Sequence, residues 1–155
     1  MEIIFEKAKL DDALELIEVQ NLSFQADFEK YGECPSYQET PENMRDMIQK
    51  AIVYKILVCE RENNRLIGDI IIRKRADGSY YLRTIAIIPS CQSLGIGTKA
   101  MAFMEQDNPG GTFWCLTTPE GTPRNRHFYE KLGYHKVGEY RRSERLTLIE
   151  YKKEL

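Results

Sequence analysis

The sequence predicts an α+β fold: a mixed, mostly antiparallel central sheet of about seven strands flanked by about four helices, in one domain spanning residues 1–155. Three observations carry this expectation. Alternating apolar runs at Tyr54–Glu60, Leu66–Arg75 and Tyr80–Ile88 are separated by turn residues, as in hairpins. A second such pair, Tyr134–Tyr140 and Arg145–Lys152, closes the chain. Between the two groups, Ile96, Ala100, Phe103 and Met104 repeat with the period of one helix face.

Taken in order, Glu2–Ala8 reads as a first strand. Asp12 and Glu15 stand at capping-box spacing, and Ala13, Leu14 and Ile17 mark an amphipathic helix running towards Leu22. Residues Asn21–Glu39 lack a clear period and read as a loop or broken helix, rich in aromatic and acidic side chains. Thr40-Pro41-Glu42 is a strong helix start, and that helix should run to about Ala51. Asn63-Asn64 and Ala76-Asp77-Gly78-Ser79 are turns. Asn108-Pro109-Gly110-Gly111 breaks the chain before a short buried strand, Thr112–Thr117, that carries the only tryptophan. A short helix from Arg124 to Leu132 ends at Gly133.

Composition narrows the function. At 155 residues the chain can bury about 70% of its unfolded surface. A net charge of −2 gives no general attraction to nucleic acid or to an anionic membrane, so neither is expected as a partner. No apolar run reaches the ~18 residues of a membrane span, and Met1-Glu2 leads into an alternating strand rather than a signal peptide. Cys34, Cys59, Cys91 and Cys115 form no CxxC pair and read as reduced thiols, which fits a cytoplasmic protein. His127 and His135 have no metal-ligand spacing, and no metal is expected.

Chemistry concentrates between Tyr80 and Gln106. Two glycines in Gln92-Ser93-Leu94-Gly95-Ile96-Gly97-Thr98 open a helix whose first N–H groups have no intrahelical partner, which suits a phosphate. Gly95–Ala100 formally matches the dinucleotide fingerprint, with Glu120 about twenty residues on. Against this, six residues separate Ile88 from Gly95, and only 55 follow position 100. A triphosphatase loop would need G-x-x-x-x-G-K-[ST], which is absent. Two other readings of the glycines are open: they shape a tight connection and nothing more, or they hold the pyrophosphate of coenzyme A.

Ile85-Ala86-Ile87-Ile88-Pro89 followed by Gln92-x-x-Gly95-x-Gly97 resembles the acetyl-CoA-binding motif of the GNAT superfamily of N-acetyltransferases. His127-Phe128-Tyr129-Glu130-Lys131-Leu132-Gly133-Tyr134 resembles that family's second signature. Order and spacing match as well, and the resemblance covers nearly all of the chain. It implies a GNAT-like domain with acetyl-CoA as cosubstrate. Pantetheine would pair with the backbone of Ile85, Ala86 and Ile87 where that strand splays at a bulge. The amides of Gln92, Ser93, Leu94, Gly95, Ile96, Gly97 and Thr98 would hold the pyrophosphate, and an N–H near Ile87 would serve the thioester oxygen.

By the same resemblance Tyr129 protonates the departing thiolate, and the acceptor is a small-molecule or peptide amine. Two departures stand out. The central strand carries no acid between Tyr80 and Ile88 where some members place a glutamate base; Asp27, Glu33 and Asp69 are the alternatives. Thr122 stands where an asparagine often meets the cofactor, and Asn125 or Arg124 would compensate. Two functions are compatible with these residues: an N-acetyltransferase, or a non-catalytic acyl-CoA-binding module on the same fold. A homodimer through the last strands is compatible with the sequence.

Overall fold

A computed structural model describes residues 1–155. Seven strands form one sheet in the order β1-β2-β3-β4-β5-β7-β6. They are β1 (Ile3–Lys7), β2 (Ile52–Cys59), β3 (Asn64–Lys74), β4 (Tyr80–Ile87), β5 (Phe113–Pro119), β6 (His135–Ser143) and β7 (Leu146–Glu154). Helices α1 (Ala13–Tyr31), α2 (Pro41–Lys50), α3 (Ile96–Asp107) and α4 (Pro123–Lys131) complete the α+β architecture. β4 and β5 pair in parallel, at Tyr80↔Trp114 and Tyr81↔Cys115. A parallel pair cannot be closed by a hairpin, and α3 lies in the connection. The chain folds as two compact units, Met1–Ile72 with Thr84–Pro109, and Arg73–Arg83 with Gly110–Leu155.

The first unit is built on strand alternation. Val53 and Tyr54 are neighbours on β2 and so point to opposite faces. Val53 joins Ile71, Ala13, Leu16, Met44 and Met47 in the core under α1 and α2. Tyr54 meets Phe103 of α3 edge-on at 4.9 Å, and Phe103 stacks on Phe5 of β1 at 4.5 Å. The Tyr54 hydroxyl donates to Asp107 at 2.5 Å, which ties the end of α3 to the sheet.

Helix α1 differs from expectation: it runs through Asn21 to Tyr31, across a segment that reads as irregular in sequence. Gln20 is wholly buried at a position where an apolar residue would continue the period, so the stripe looks interrupted. Gly32 supplies the true stop at φ 77°, its N–H reaching the Phe28 carbonyl at 2.8 Å. Asp12 and Glu15 do not form a capping box either. Asp12 accepts from the Lys9 N–H at 2.7 Å, closing a 3-10 turn ahead of α1. At α2 the expected cap is present, with Thr40 Oγ1 accepting from the Asn43 N–H at 3.1 Å.

In the second unit Trp114 is fully buried and stacks on Tyr80 at 4.7 Å. β5 pairs antiparallel with β7 from Phe113↔Glu154 to Pro119↔Leu148. β6 pairs with β7 and bulges at two places, between Lys136 and Gly138 and between Arg141 and Ser143.

A third bulge, in the first unit, sets how β3 meets the end of β4. Ile56 of β2 faces Gly68 while Leu57 faces Leu66, leaving Ile67 as the extra residue. The Ile67 carbonyl takes the Ile88 N–H at 2.9 Å, just past the end of β4. A Cβ on Gly68 would lie 2.0 Å from the Ala86 carbonyl oxygen, so only glycine permits this approach. Gly68→Ala must therefore push β3 and β4 apart. Urea unfolding should show a loss of about 3 kcal/mol, at the upper end for overpacking; a loss below about 0.5 kcal/mol would show that the strands yield freely.

Candidate active site

Residues Ile85–Thr98 all lie in the first unit and form one continuous structural piece. On β4, Ala86 is 1% exposed while Ile85 and Ile87 are half-buried, as alternation requires. Pro89–Cys91 then form a 3-10 turn, closed by the Cys91 N–H on the Ile88 carbonyl at 2.9 Å. Gln92 does more than occupy a motif position: its Nε2 donates to the Ile87 carbonyl at 2.8 Å and fastens the loop to the strand's end. The sequence motif points to the Gln92 backbone and gives no sign of this side-chain tie.

The loop enters α3 through two left-handed residues, Ser93 (φ 62°) and Gly95 (φ 80°). Gly95 fits that conformation without cost, whereas Ser93 is strained there. Ser93, Leu94 and Gly95 are exposed, and a Cβ on Gly95 would meet nothing within 4 Å. Ile96 is buried and anchors the helix. The N-cap Gly95 contributes no side-chain hydrogen bond, and the first backbone bond of this turn, from the Lys99 N–H to the Gly95 carbonyl, is 3.3 Å. The N–H groups of Ile96, Gly97 and Thr98 therefore stand at the positive end of the helix without intrahelical partners. No acid sits in this turn to repel an anion. Such a terminus suits a phosphate-bearing ligand.

In the second unit, α4 begins at Pro123 and stops at Gly133 (φ 96°), whose N–H bonds the Glu130 carbonyl at 3.1 Å. Asn125 and Tyr129 are one turn apart and share a face. Tyr129 is 8% exposed. Its ring packs against Phe128, Tyr134 and Tyr151 at 5.1, 6.0 and 6.2 Å. Its hydroxyl makes no hydrogen bond, and burial pushes the phenol well above its ordinary pKa near 10. The group is fixed in place, neutral at physiological pH and able to donate. Asn125 is half-buried, its amide free of hydrogen bonds.

The acids offered as bases separate clearly. Asp69 is fully buried and accepts from Gln20 Nε2 at 2.8 Å, a structural pair joining β3 to α1. Glu33 and Asp27 are half-buried, and Asp27 has its pKa raised by burial, with Lys30 partly opposing the shift. Ser36 and Thr84, both buried, share a hydrogen bond at 2.9 Å that seats the segment after α1 on β4. Sequence reasoning missed both this pair and the role of Gly68, although an isolated glycine inside a strand pattern is itself a signal of close backbone approach. The cysteines are free thiols: Cys91 is buried, Cys34 and Cys115 half-buried and Cys59 exposed. No helix is long and apolar enough to cross a membrane.

Comparison with known proteins agrees with this geometry. The model of the acetyltransferase (GNAT) domain matches residues 53–136, just over half of the chain. No curated protein sequence matches. Among solved structures, a GNAT-family acetyltransferase from Streptococcus pneumoniae superposes with a TM-score of 0.77 at 19% identity, covering 99% of each chain. The PaiA N-acetyltransferase of Thermoplasma acidophilum, in complex with coenzyme A, gives 0.75 at 17% identity over 100% of each chain. A candidate acetyltransferase from Salmonella typhimurium, YncA, solved with its cofactor acetyl-CoA, gives 0.77 at 13% identity over 100% of this chain and 95% of that one. At these identities the neighbours establish the fold, and the matched domain establishes the family: the chain belongs to the GNAT acetyltransferases.

Proposed function

We propose that this protein transfers an acetyl group from acetyl-CoA to a primary amine by direct attack, with Tyr129 as the general acid and the whole chain acting as one catalytic domain. The observation that carries the proposal is the Tyr129 phenol, buried, protonated and without a hydrogen-bond partner. Acetyl-CoA supplies the activated acetyl thioester and leaves as a thiolate. Its fit rests on the exposed, uncapped start of α3, where the amides of Ser93–Thr98 are offered to the pyrophosphate, while the Gln92 N–H is already taken by the Pro89 carbonyl at 3.2 Å. Two of the structural neighbours hold acetyl-CoA or coenzyme A, which supports the same choice. The backbone of Ile85–Ile87 would take the pantetheine as an added strand does. The two-residue ladder of β4 with β5 involves only Tyr80 and Tyr81, at the other end of the strand. Asn125, on the Tyr129 face of α4, is offered to the same ligand.

The amine must lose a proton before it attacks. For an amine with a pKa near 10.4 this costs roughly 4–5 kcal/mol at pH 7. β4 carries no acid to accept it, so the reaction should quicken with pH as free amine accumulates. Tyr129 sets no alkaline limit in the working range, because burial keeps it protonated beyond pH 10. The missing strand acid favours one second reading, a non-catalytic acyl-CoA-binding module.

A thermal-shift titration with acetyl-CoA followed by thiol release over a panel of amines decides between the two. Stabilisation with release is expected; stabilisation with no release for any amine would favour the module. Tyr129→Phe keeps the packing and removes the proton, so turnover should fall about a hundredfold, at the low end for general acids, with acetyl-CoA affinity nearly unchanged. Unchanged turnover would remove Tyr129 from the mechanism. The raised phenol also predicts a stability profile. The folded state binds this proton more tightly than the unfolded one, so its stabilisation is complete below pH 10 and is lost as pH rises further. Denaturation midpoints from pH 8 to 11.5 should show that fall, and Tyr129→Phe should lessen it, the remainder belonging to groups such as Tyr151, whose phenol is raised by burial as well. Gly95→Ala places a Cβ at φ 80° and should cost about 1–2 kcal/mol of stability while weakening acetyl-CoA binding.

A further inference from the structure

Helix α4 carries Tyr129 and is only nine residues long. Consecutive residues of a helix point about 100° apart, so the direction of the Tyr129 side chain follows the rotation of α4 about its axis. Tyr129 does not set that rotation by bonding, because its own hydroxyl makes no hydrogen bond. The next residue does bond. Glu130 Oε2 accepts from the Tyr151 hydroxyl at 2.6 Å.

Tyr151 is a firm anchor. It is wholly buried on β7, where it pairs with Leu116 of β5 on one side and Lys136 of β6 on the other. A strand paired on both sides holds its side chains still, and a phenol has only two torsions to fix. Arg126, one turn before Glu130 on α4, hydrogen-bonds the same hydroxyl. The hydroxyl therefore accepts from a guanidinium while it donates to a carboxylate, and both bonds are charge-assisted. The Tyr151 ring also packs on Tyr129, at 6.2 Å between centroids. Ring packing at that distance leaves the rotation of α4 loosely determined, whereas a directional bond of 2.6 Å does not. Glu130 is exposed, where water would satisfy its charge equally well. What the bond to Tyr151 adds is direction.

Resting on the function proposed above, we infer that Tyr151 is a positioning residue for acetyl transfer: through Glu130 it fixes the rotation of α4 and so aims the Tyr129 hydroxyl at the departing sulfur. The test follows thiol release from acetyl-CoA with the fastest amine of the panel above. Tyr151→Phe keeps the ring and loses only the hydroxyl, while Glu130→Ala removes the acceptor at an exposed position that folding tolerates. Each should lower kcat about tenfold and leave the KM for acetyl-CoA unchanged. Glu130→Gln keeps an oxygen that accepts the bond and should retain most of the wild-type kcat. In a Tyr129→Phe background, Tyr151→Phe should change kcat by less than about twofold, since no hydroxyl remains to be aimed. Wild-type kcat in both single variants, or an equal loss with and without Tyr129, overturns the inference. A Tyr129→Phe protein as fast as the wild type, or no release with any amine, would instead remove the proposed function and this inference with it.

Discussion

The close approach of β3 to β4 at Gly68 is the constraint on which the first unit depends. With a carbonyl oxygen 2.0 Å from where a side chain would begin, the Ala86 peptide is pressed against a backbone that has no lateral freedom. The bulge at Ile67 turns a carbonyl to the Ile88 N–H, and Gln92 closes on the Ile87 carbonyl from the other direction. These contacts fix the point at which the chain leaves the sheet for α3. The helix terminus inherits its position from the strand, because the loop between them is short and tied at both ends. Main-chain amides at a helix start are positioned by such rigidity alone, since they have no side-chain freedom with which to compensate.

Strain is concentrated in the same few residues. Ser93 adopts a left-handed conformation without being glycine, in an exposed loop with no packing reason for it. Non-glycine residues persist there when the flanking structure overdetermines them. Here the Gln92 tie precedes Ser93 and the buried Ile96 follows it, leaving the intervening residues little choice. Tyr129 is fixed by different means, wedged among three aromatic rings with its hydroxyl unbonded. The loop before α3 is held by backbone geometry, and Tyr129 by aromatic packing.

This division explains what the sequence discloses. Backbone sites demand glycines and a helix period, so Gly95, Gly97 and the α3 repeat are legible, as are the hairpins and the Thr40 cap. The reach of α1 is hidden because Gln20 stands in the core, its Nε2 donating to Asp69, a pairing 49 residues apart in sequence. Asp12 looks like a cap for α1 yet serves the turn before it, because both roles use the same residue type at similar spacing. Asp69 can be placed as a paired carboxylate but not matched to its partner. The Ser36–Thr84 contact leaves no trace, since two small hydroxyls in distant segments carry no pattern. The strand, loop and helix from Tyr80 to Asp107 obey rules written into local sequence, whereas the placing of the segment after α1 arises from tertiary contacts.

The solitary tryptophan has a use beyond packing. Trp114 is wholly enclosed in the second unit and lies against Tyr80, so its emission reports on that unit alone. The first unit contains no indole and is optically silent above the tyrosine band. Fluorescence thus watches one unit and backbone circular dichroism the whole chain, and non-coincident melting curves would reveal two units that come apart separately. The fold carries its own built-in gauge of cooperativity.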